Sequence, residues 1–186
     1  MKIYSDGGKI KIRSMVAGDA RILYEEYFSY GWHPKMETYE KYYREQEEGK
    51  RLVFIAEYEG KVSGQCTLDL NPKEGPWVGR GYPEIVDLTV FFDLHGKGIG
   101  SRLLDAAEME ASKISGIVFL GVGLHSGYGP AQRLYVKRGY IPDGSGVWYN
   151  GSVLDQYAPC TNDDDLILFL SQDLNHGDKK SNIEKS

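Results

Sequence analysis

The sequence predicts an α/β (α+β) fold with one twisted mixed sheet of about six to seven strands and helices on both faces. Strand-like and helix-like segments follow one another in the order β-α-α-β-β-β-α-β-α-β-β. The segment from Ile117 to Val122 is almost wholly apolar, which is typical of a strand buried on both faces. The 186 residues suffice for one domain with a full core. We therefore predict a single domain over residues 1–174 and a polar, disordered tail over residues 175–186.

The first half of the chain predicts two helices set among strands. Asp19 is a candidate N-cap for a first helix that is dense in aromatic residues. Most of these rings are expected in the core, but Tyr27, Tyr30 and Trp32, near the helix end, are expected to line a substrate pocket. The predicted elements of this half are a strand at 9–13, helices at 20–30 and 34–48, and a hairpin of strands at 51–58 and 61–70.

The stretch from Pro83 to Asp105 organises the rest of the chain. Residues 85–92 are rich in β-branched and aromatic side chains and suit a strand. A glycine turn follows, and the first amides of the next helix have no partner inside that helix. Glycine lets the backbone approach a phosphate closely, and the helix dipole favours negative charge there. The stretch therefore predicts a pyrophosphate-binding turn with Gly96, Gly98 and Gly100, and a helix whose apolar face carries Leu103, Leu104, Ala107, Ala111 and Ile114.

The spacing of the glycines narrows the choice of phosphate ligand. The dinucleotide fingerprint G-x-G-x-x-G is absent, because Leu103 stands where its third glycine would fall. The P-loop pattern G-x-x-x-x-G-K-[ST] is absent as well. A nucleotide-binding protein that uses the turn for a mononucleotide is therefore disfavoured, and a turn that merely connects two elements is the plain alternative.

A second helix-forming motif follows the apolar strand. Pro130 suits the first position of a helix, and Gly139 is a candidate stop after the basic pair Lys137 and Arg138. A turn at 143–146 and strands at 147–149 and 165–171 complete the prediction. The segments HGKGIG at 95–100 and GPAQRLYVKRGY at 129–140 together resemble motifs A and B of the GNAT superfamily of acyl-CoA-dependent N-acyltransferases.

This resemblance covers nearly all of residues 9–171, and the chain looks like a bacterial member of unassigned substrate. His95 stands where motif A has Arg or Gln, and Tyr128 stands where motif B has Asn. The resemblance implies that the fourth and fifth strands run parallel and splay apart, so that freed backbone groups pair with the pantetheine arm. A backbone amide near Val90 would polarise the thioester carbonyl. The residues implied for binding acetyl-CoA are Leu88, Thr89, Val90, His95, Gly96, Lys97, Gly98, Ile99, Gly100, Ser101, Tyr128, Gln132 and Tyr135.

The chemistry implied by the resemblance is direct transfer of an acetyl group from the thioester to an amine. Tyr135 is the predicted general acid, because a phenol of pKa ~10 is closely matched to a thiol of pKa ~8.5. Its alternative role is to pack against the cofactor or hydrogen-bond to it. Glu84 and Asp87 are the two candidate bases, and either could instead bind the ammonium of the substrate or form a structural ion pair. His125 is a weaker candidate.

Composition excludes several classes of partner. The net charge of −5 argues against nonspecific nucleic-acid binding, which needs a basic face. No apolar run approaches membrane-spanning length, and the N-terminal residues lack the apolar core of a signal peptide. Cys66 and Cys160 form no metal-ligand pattern and are expected to be free thiols. We therefore expect a cytoplasmic protein without a bound metal, without a nucleic-acid partner and without a membrane partner.

The leading functional hypothesis is an acetyl-CoA-dependent N-acetyltransferase, an acyltransferase of EC 2.3.1 type, that acts on a small-molecule or peptide amine. The alternative is an acyl-CoA-binding sensor without turnover. Retention of Tyr135 and of a strand carboxylate favours the enzyme. An acidic rim of Glu25, Glu26 and residues 163–165 would suit a cationic amine. GNAT enzymes are often dimers, so a homodimer is a further expectation.

Overall fold

The computed structural model describes residues 1–175, which form two compact units. The first unit contains Met1–Leu70 and Ile85–Met109, and the second contains Asn71–Glu84 and the described residues from Glu110 onward. The predicted tail at 175–186 lies, apart from Asn175, outside the described residues. None of the helices in the described part of the chain is long and apolar enough to cross a membrane.

The first unit pairs strands that are mostly antiparallel neighbours in sequence. Their spatial order is β1-β2-β3-β4-β5. β1 was not predicted; it pairs with β2 from Ile3 opposite Arg13 to Gly7 opposite Ile10. The elements are β1 (Ile3–Gly7), β2 (Ile10–Ser14), α1 (Asp19–Ser29), α2 (Met36–Glu47), β3 (Arg51–Tyr58), β4 (Lys61–Asp69), β5 (Glu84–Val90) and α3 (Ile99–Ser112), of which β5 starts and α3 ends just inside the second unit.

The second unit contains β6 (Ile117–Gly123), α4 (Gly129–Arg138), β7 (Ile141–Tyr149), β8 (Ser152–Val153) and β9 (Leu166–Asp173). Glu84, the first residue of β5, pairs in parallel with Phe119 of β6, and the order continues β6-β9-β7-β8 through antiparallel pairs. The prediction of a mixed sheet with a parallel central pair is therefore confirmed.

The predicted count of six to seven strands was too low, because the described residues contain nine. β1 and β8 are short edge strands with few apolar residues, so periodicity gives little signal for them. The predicted turn at 143–146 lies within β7, where the register against β9 shifts between Pro142 and Val147. This shift marks a bulge, and a bulge interrupts the alternation that a sequence pattern relies on.

The core of the first unit is built against one face of its sheet. Leu23 and Tyr27 of α1 pack with Val53 and Ile55 of β3. Asp19 is buried and forms a two-pronged ion pair with Arg13, at 2.7 and 2.9 Å. The prediction that Asp19 caps α1 was wrong: Asp19 is the first helical residue, Gly18 takes the cap position, and the carboxylate instead fixes the helix start to β2. This places the far end of α1, with its aromatic rings, over the sheet.

The apolar face of α3 is confirmed for four of its five predicted members. Leu103, Leu104, Ala107 and Ala111 are wholly buried. Ile114 is half exposed, because α3 ends at Ser112 and the next residues leave the helical path. The burial of this face holds the first turn of α3 in a fixed position at the end of β5.

Candidate functional site

The glycine turn ahead of α3 has the open backbone that anion binding requires. Gly96 and Gly98 adopt φ angles of 77° and 82°, in the left-handed region that favours glycine. A Cβ added at either position would meet no atom within 4 Å. Arg102 is the first residue whose amide bonds back into the turn, to the Gly98 carbonyl at 3.2 Å. The amides that precede it, those of residues 99–101, lie at the positive end of the helix dipole without an intrahelical partner.

The side chain of His95 is used inside the protein. Its Nε2 lies 2.9 Å from the carbonyl oxygen of Val90. Because a carbonyl only accepts, Nε2 carries the proton and donates it, which ties the turn to the end of β5. Lys97 is exposed, with Nζ 5.0 Å from the centre of the Tyr58 ring. The turn therefore offers backbone amides and one exposed cation, Lys97.

β4 and β5 approach each other unusually closely where the pantetheine arm was predicted to pair. A Cβ added at Gly64 would lie 2.4 Å from the carbonyl oxygen of Thr89 and 3.0 Å from Cα of Val90. The Phe91 amide also donates to the Ser63 carbonyl, at 2.9 Å. Only glycine at position 64 permits this approach, so β4 sets the position of residues 88–90.

Asp87 lies at an irregular position of β5. Its φ angle is 55°, a left-handed conformation that is uncommon for a residue with a side chain. Tyr42 of α2 donates its hydroxyl hydrogen to Oδ2 of Asp87 at 2.7 Å. β5 is therefore irregular at this point, and the simple alternation that would separate Glu84 from Asp87 does not apply. Asp87 is exposed, and its carboxylate is held in place by α2.

Asp87 lines a small pocket of the first unit. The cavity has a volume of about 150 Å³ and opens to solvent. Three elements besides β5 contribute to it: the end of α1 with the residues that follow, α2, and β4. Its lining residues are Tyr27, Trp32, Thr38, Tyr39, Tyr42, Gln65, Asp87 and Thr89.

Two polar atoms of this pocket are buried and form no hydrogen bond within the described residues: the Tyr27 hydroxyl and Gln65 Oε1. Tyr27 is 2% exposed and Gln65 is 3% exposed. The Thr89 side chain influences the pKa of Tyr27, but the two side chains do not form a hydrogen bond of ordinary geometry. Buried polar atoms nearly always form hydrogen bonds, so these two atoms indicate a ligand that places a polar group next to them.

The phenols of the pocket are held in their neutral form. Burial raises the pKa of Tyr27 and of Tyr42, and the nearby Asp87 charge raises both further. Burial followed by the Asp87 charge raises the pKa of Tyr39 to about 12. At neutral pH the pocket therefore combines protonated hydroxyl groups with a single carboxylate.

The predicted substrate residues divide into two groups. Tyr27 and Trp32 line the pocket, with ring centroids 5.4 Å apart. Tyr30 does not line it; its ring stacks on Phe92 at 4.0 Å, and its hydroxyl donates to Glu26. Burial and this hydrogen bond raise the pKa of Tyr30 to about 12. Tyr30 thus joins α1 to the segment after β5.

Three carboxylates of the predicted acidic rim, those of Glu25, Glu26 and Asp164, form local contacts. Glu25 pairs with Arg21 at 2.7 Å, and Glu26 accepts from Tyr30. In the second unit, Asp164 accepts from the His125 ring and from the Tyr128 hydroxyl, each at 3.0 Å. The hydrogen bond from His125 holds the pKa of Asp164 below its usual range.

His125 has little freedom to act as a base. The Gly127 amide donates to its Nδ1 at 3.0 Å, so Nε2 carries the proton and faces Asp164. Cys66 is fully buried, and burial raises the pKa of its thiol, which excludes a thiolate nucleophile at neutral pH.

The three residues predicted for cofactor binding in the second unit have defined environments. The Tyr128 ring covers Gly123, where an added Cβ would meet it at 2.3 Å. Gln132 donates its side-chain amide to the Gly123 carbonyl at 2.8 Å, and it also lines a surface depression of α4. Tyr135 is 6% exposed and its ring lies 5.8 Å from that of Tyr140. α4 is thus anchored to the end of β6.

Several pocket residues were not predicted from the sequence. Tyr39 and Tyr42 lie in a helix that reads as a charged, solvated face, and Gln65 lies in an otherwise ordinary strand. The spacing of Tyr39 and Tyr42 by three residues on one helix face was an available signal, because it places both rings toward the same neighbour. Nothing in the local sequence marks Gln65.

Comparison with known proteins agrees with this geometry. The model of the acetyltransferase (GNAT) family matches residues 19–140. No curated protein matches the sequence. Among solved structures, YncA of Salmonella typhimurium with its cofactor acetyl-CoA is 18% identical, with a TM-score of 0.65 over 90% of this chain and 95% of YncA.

Two further structures link the fold to amine substrates of other proteins. The Salmonella typhimurium acetyltransferase that modifies the N-terminal serine of ribosomal protein L7/L12 is 10% identical, with a TM-score of 0.69 over 92% of this chain and 99% of that one. A chimera of the spermidine N-acetyltransferase SpeG from Vibrio cholerae is 14% identical, with a TM-score of 0.66 over 91% and 98%. At these identities the similarity establishes the fold.

Proposed function

The chain belongs to the GNAT acetyltransferase family, and on that premise we propose that it transfers an acetyl group from acetyl-CoA to a primary amine by direct attack. The observation that carries this proposal is the open turn at 95–101, with two left-handed glycines and no protein atom near either Cβ position. Such a turn accommodates a pyrophosphate on backbone amides. The proposed acceptor is a small-molecule or peptide amine, and the proposed location is the cytoplasm.

The residues of the first unit fit the cofactor. Amides of residues 99–101 would bind the pyrophosphate, and backbone groups of residues 88–90 would pair with the pantetheine arm. A backbone amide near Val90 would stabilise the negative charge that develops on the carbonyl oxygen. Bound acetyl-CoA supplies an activated acyl group with a thiolate leaving group. The protein needs no side-chain contact from His95, because that side chain already bonds to Val90.

Asp87 is the base that we favour over Glu84. Asp87 lines the pocket, where an acceptor nitrogen would meet it, whereas the Glu84 backbone is fixed by its pairing with Phe119. As the nitrogen–carbon bond forms and the carbon–sulfur bond breaks, the nitrogen loses a proton to the Asp87 carboxylate. We propose that the Tyr135 phenol donates its own proton to the departing sulfur. A phenol of pKa ~10 and a thiol of pKa ~8.5 exchange a proton at little cost.

The second candidate is an acyl-CoA-binding domain without turnover. The pocket beside Asp87 favours the enzyme, since a sensor that only holds the cofactor has no need of a second polar cavity. A homodimer stays part of the proposal and rests on membership of the family alone.

The test is calorimetric titration with CoA and acetyl-CoA, coupled to a free-thiol assay across a panel of amines. We expect acetyl-CoA to bind and thiol release to require an amine. Binding without release for any amine or peptide amine would favour the sensor. Failure of both cofactors to bind, with stabilisation by ATP or NAD, would overturn the proposal.

A further inference from the structure

The pocket of the first unit presents three kinds of oxygen atom to a single ligand: a phenol oxygen, an amide oxygen and a carboxylate oxygen. The Tyr27 hydroxyl and Gln65 Oε1 are buried and unpaired among the described residues. Asp87 supplies a carboxylate, of which Tyr42 engages only Oδ2. A carboxylate has about four acceptor sites, so Oδ1 and part of Oδ2 stay open to a ligand. All three residues line the same cavity.

The charge of the cavity points to a cation. Its titratable lining groups are Tyr27, Tyr39, Tyr42 and Asp87, and the three phenols are neutral at physiological pH. Arg51 lies 4.8 Å from the centre of the Tyr42 ring, but its guanidinium pairs with Glu45 and Asp69. Asp87 therefore leaves a single negative charge facing the cavity.

The walls of the cavity are aromatic. The Tyr27 ring lies 6.0 Å from that of Tyr39 and 5.4 Å from that of Trp32. The Tyr39 and Tyr42 rings meet edge to face at 6.3 Å. Aromatic faces attract cations, and they also pack against methylene groups. A volume of about 150 Å³ admits a slender chain and leaves little room for branching beside the nitrogen.

We infer that this pocket binds the acceptor of the proposed reaction as a primary alkylammonium ion, with N–H groups donated to Asp87, Gln65 Oε1 and the Tyr27 hydroxyl oxygen. A primary ammonium carries three donors, which matches three acceptors in number. This inference rests on the proposed function for the fate of the bound amine. It specifies the acceptor as an unbranched aliphatic amine and excludes quaternary ammonium ions and neutral alcohols as good ligands.

The test compares three probes of similar shape on the full chain: n-butylammonium, n-butanol and n-butyltrimethylammonium. Each is titrated calorimetrically with CoA absent and with CoA at saturation. We expect butylammonium to bind at least about tenfold more tightly than the other two, because each hydrogen bond to a charged group contributes that much or more. Equal binding of butanol, or no butylammonium binding in either condition, would overturn the inference.

Two variants locate the site. Tyr27→Phe and Gln65→Leu each remove one acceptor and are expected to weaken butylammonium binding about tenfold. Because the Tyr27 hydroxyl has no hydrogen-bond partner among the described residues, Tyr27→Phe is expected to leave the thermal midpoint unchanged or to raise it. The matched control is Tyr24→Phe, one turn earlier on α1 and outside the pocket. A lower midpoint for Tyr27→Phe with unchanged amine binding would assign the hydroxyl a structural role instead.

The outcome is separable from that of the proposed function. Acetyl-CoA binding and amine-dependent thiol release test the reaction, whereas the three-probe titration tests the pocket alone. Release of thiol from an amine in the Tyr27→Phe and Gln65→Leu variants at the unaltered apparent affinity would retain the reaction and reject this pocket as its acceptor site.

Discussion

The turn at 95–101 and the pocket around Asp87 belong to the same unit but are built from different chemical groups. The turn is one continuous segment, and the groups that we propose for binding are backbone amides at the start of α3. The pocket draws side chains from α1, α2, β4 and β5, which are up to about sixty residues apart in sequence. The turn carries two ionisable side chains, His95 and Lys97, of which His95 already bonds to the Val90 carbonyl, whereas the pocket has a fixed carboxylate.

This contrast separates two tasks. In our proposal the backbone site would bind the phosphate group that acyl-CoA donors share, and it would tolerate side-chain changes as long as the glycines are kept. A side-chain site can be altered residue by residue, so it is suited to selecting an acceptor. The two sites meet at β5, which carries Asp87 on one stretch and continues to the turn through Val90 and His95.

Asp87→Asn is expected to have the largest effect, because it disables the pocket and spares the turn. Loss of a general base lowers the rate by about 10²–10⁴-fold. Acetyl-CoA affinity should not change. The measurement is kcat/KM in the thiol assay beside a calorimetric titration with acetyl-CoA.

The control for this variant is Asp6→Asn, an exposed carboxylate on β1. An unchanged rate for Asp87→Asn would move the base to Glu84, for which Glu84→Gln is the next variant. A loss of acetyl-CoA affinity as large as the loss of rate would mean that pocket and turn are not independent.

Gly98→Ala should do the opposite and disable the turn alone. The added methyl meets no protein atom, so it stands where a phosphate would approach. We expect acetyl-CoA affinity to fall about tenfold to a hundredfold, in line with the 1–3 kcal/mol typical of overpacking. Butylammonium binding should persist, as measured by calorimetry.

Gly8→Ala is the matched control, since Gly8 has a φ angle of 76° and equally open surroundings far from the turn in sequence. Both variants carry a similar conformational strain of about 1–2 kcal/mol. Equal acetyl-CoA affinity in the two variants would show that the turn binds no phosphate.

Gly64→Ala probes the strand that both sites share. Its methyl would collide with the Thr89 carbonyl at 2.4 Å, so β5 must move. We expect the free energy of unfolding to fall by about 1–3 kcal/mol, and both acetyl-CoA and amine binding to weaken. Chemical denaturation gives the stability, and Gly18→Ala, where an added Cβ meets nothing, is the control. Retention of full stability would contradict the tight approach of β4 to β5.

The smallest expected effect is on alkaline stability, and it belongs to the pocket. The folded-state pKa of Tyr39 is about 12, above the ordinary 10.0. Below pH 10 Tyr39 is neutral in both the folded and the unfolded chain, so its contribution to the free energy of unfolding is fully present. As pH rises from 10 toward 12, Tyr39 ionises first in the unfolded chain, and the free energy of unfolding falls. Tyr39→Phe should reduce this fall by about 1 kcal/mol, allowing for partial solvent screening.

Denaturant titrations at pH 9, 10 and 11 measure how the free energy of unfolding changes with pH. The control is Tyr157→Phe, since Tyr157 is 94% exposed. If the free energy of unfolding fell equally with pH in the wild type and in Tyr39→Phe, ionisation of the buried Tyr39 phenol would not be the cause of the fall.

The geometry of the turn could be predicted from the sequence more completely than that of the pocket, for a physical reason. The turn is local, because its glycines, its helix start and the apolar face of α3 are adjacent in the chain. The pocket depends on which elements pack together. Tyr27 and Trp32 were expected in it on the strength of their place at a helix end, and Asp87 was expected near the acceptor.

Tyr42 and Gln65 were not foreseen, because their significance comes from partners in other elements. Tyr42 matters through its hydrogen bond to Asp87, forty-five residues away, and Gln65 through its Oε1 atom, which has no hydrogen bond within the described part of the chain. Tyr30 shows the converse case: its position predicted a pocket residue, but stacking on Phe92 turns its ring elsewhere. The short strand β1 was missed because edge strands need little apolar patterning.

The left-handed backbone at Asp87 has a consequence for laboratory evolution. Glycine would adopt this conformation without the penalty of about 1–2 kcal/mol that a side chain incurs. A library selected for heat resistance alone would therefore enrich glycine at position 87 wherever this gain exceeds the loss of the hydrogen bond from Tyr42. The selected variants would be more stable proteins that have lost the carboxylate lining the pocket, so any screen for stability in this chain must also measure turnover in the same round.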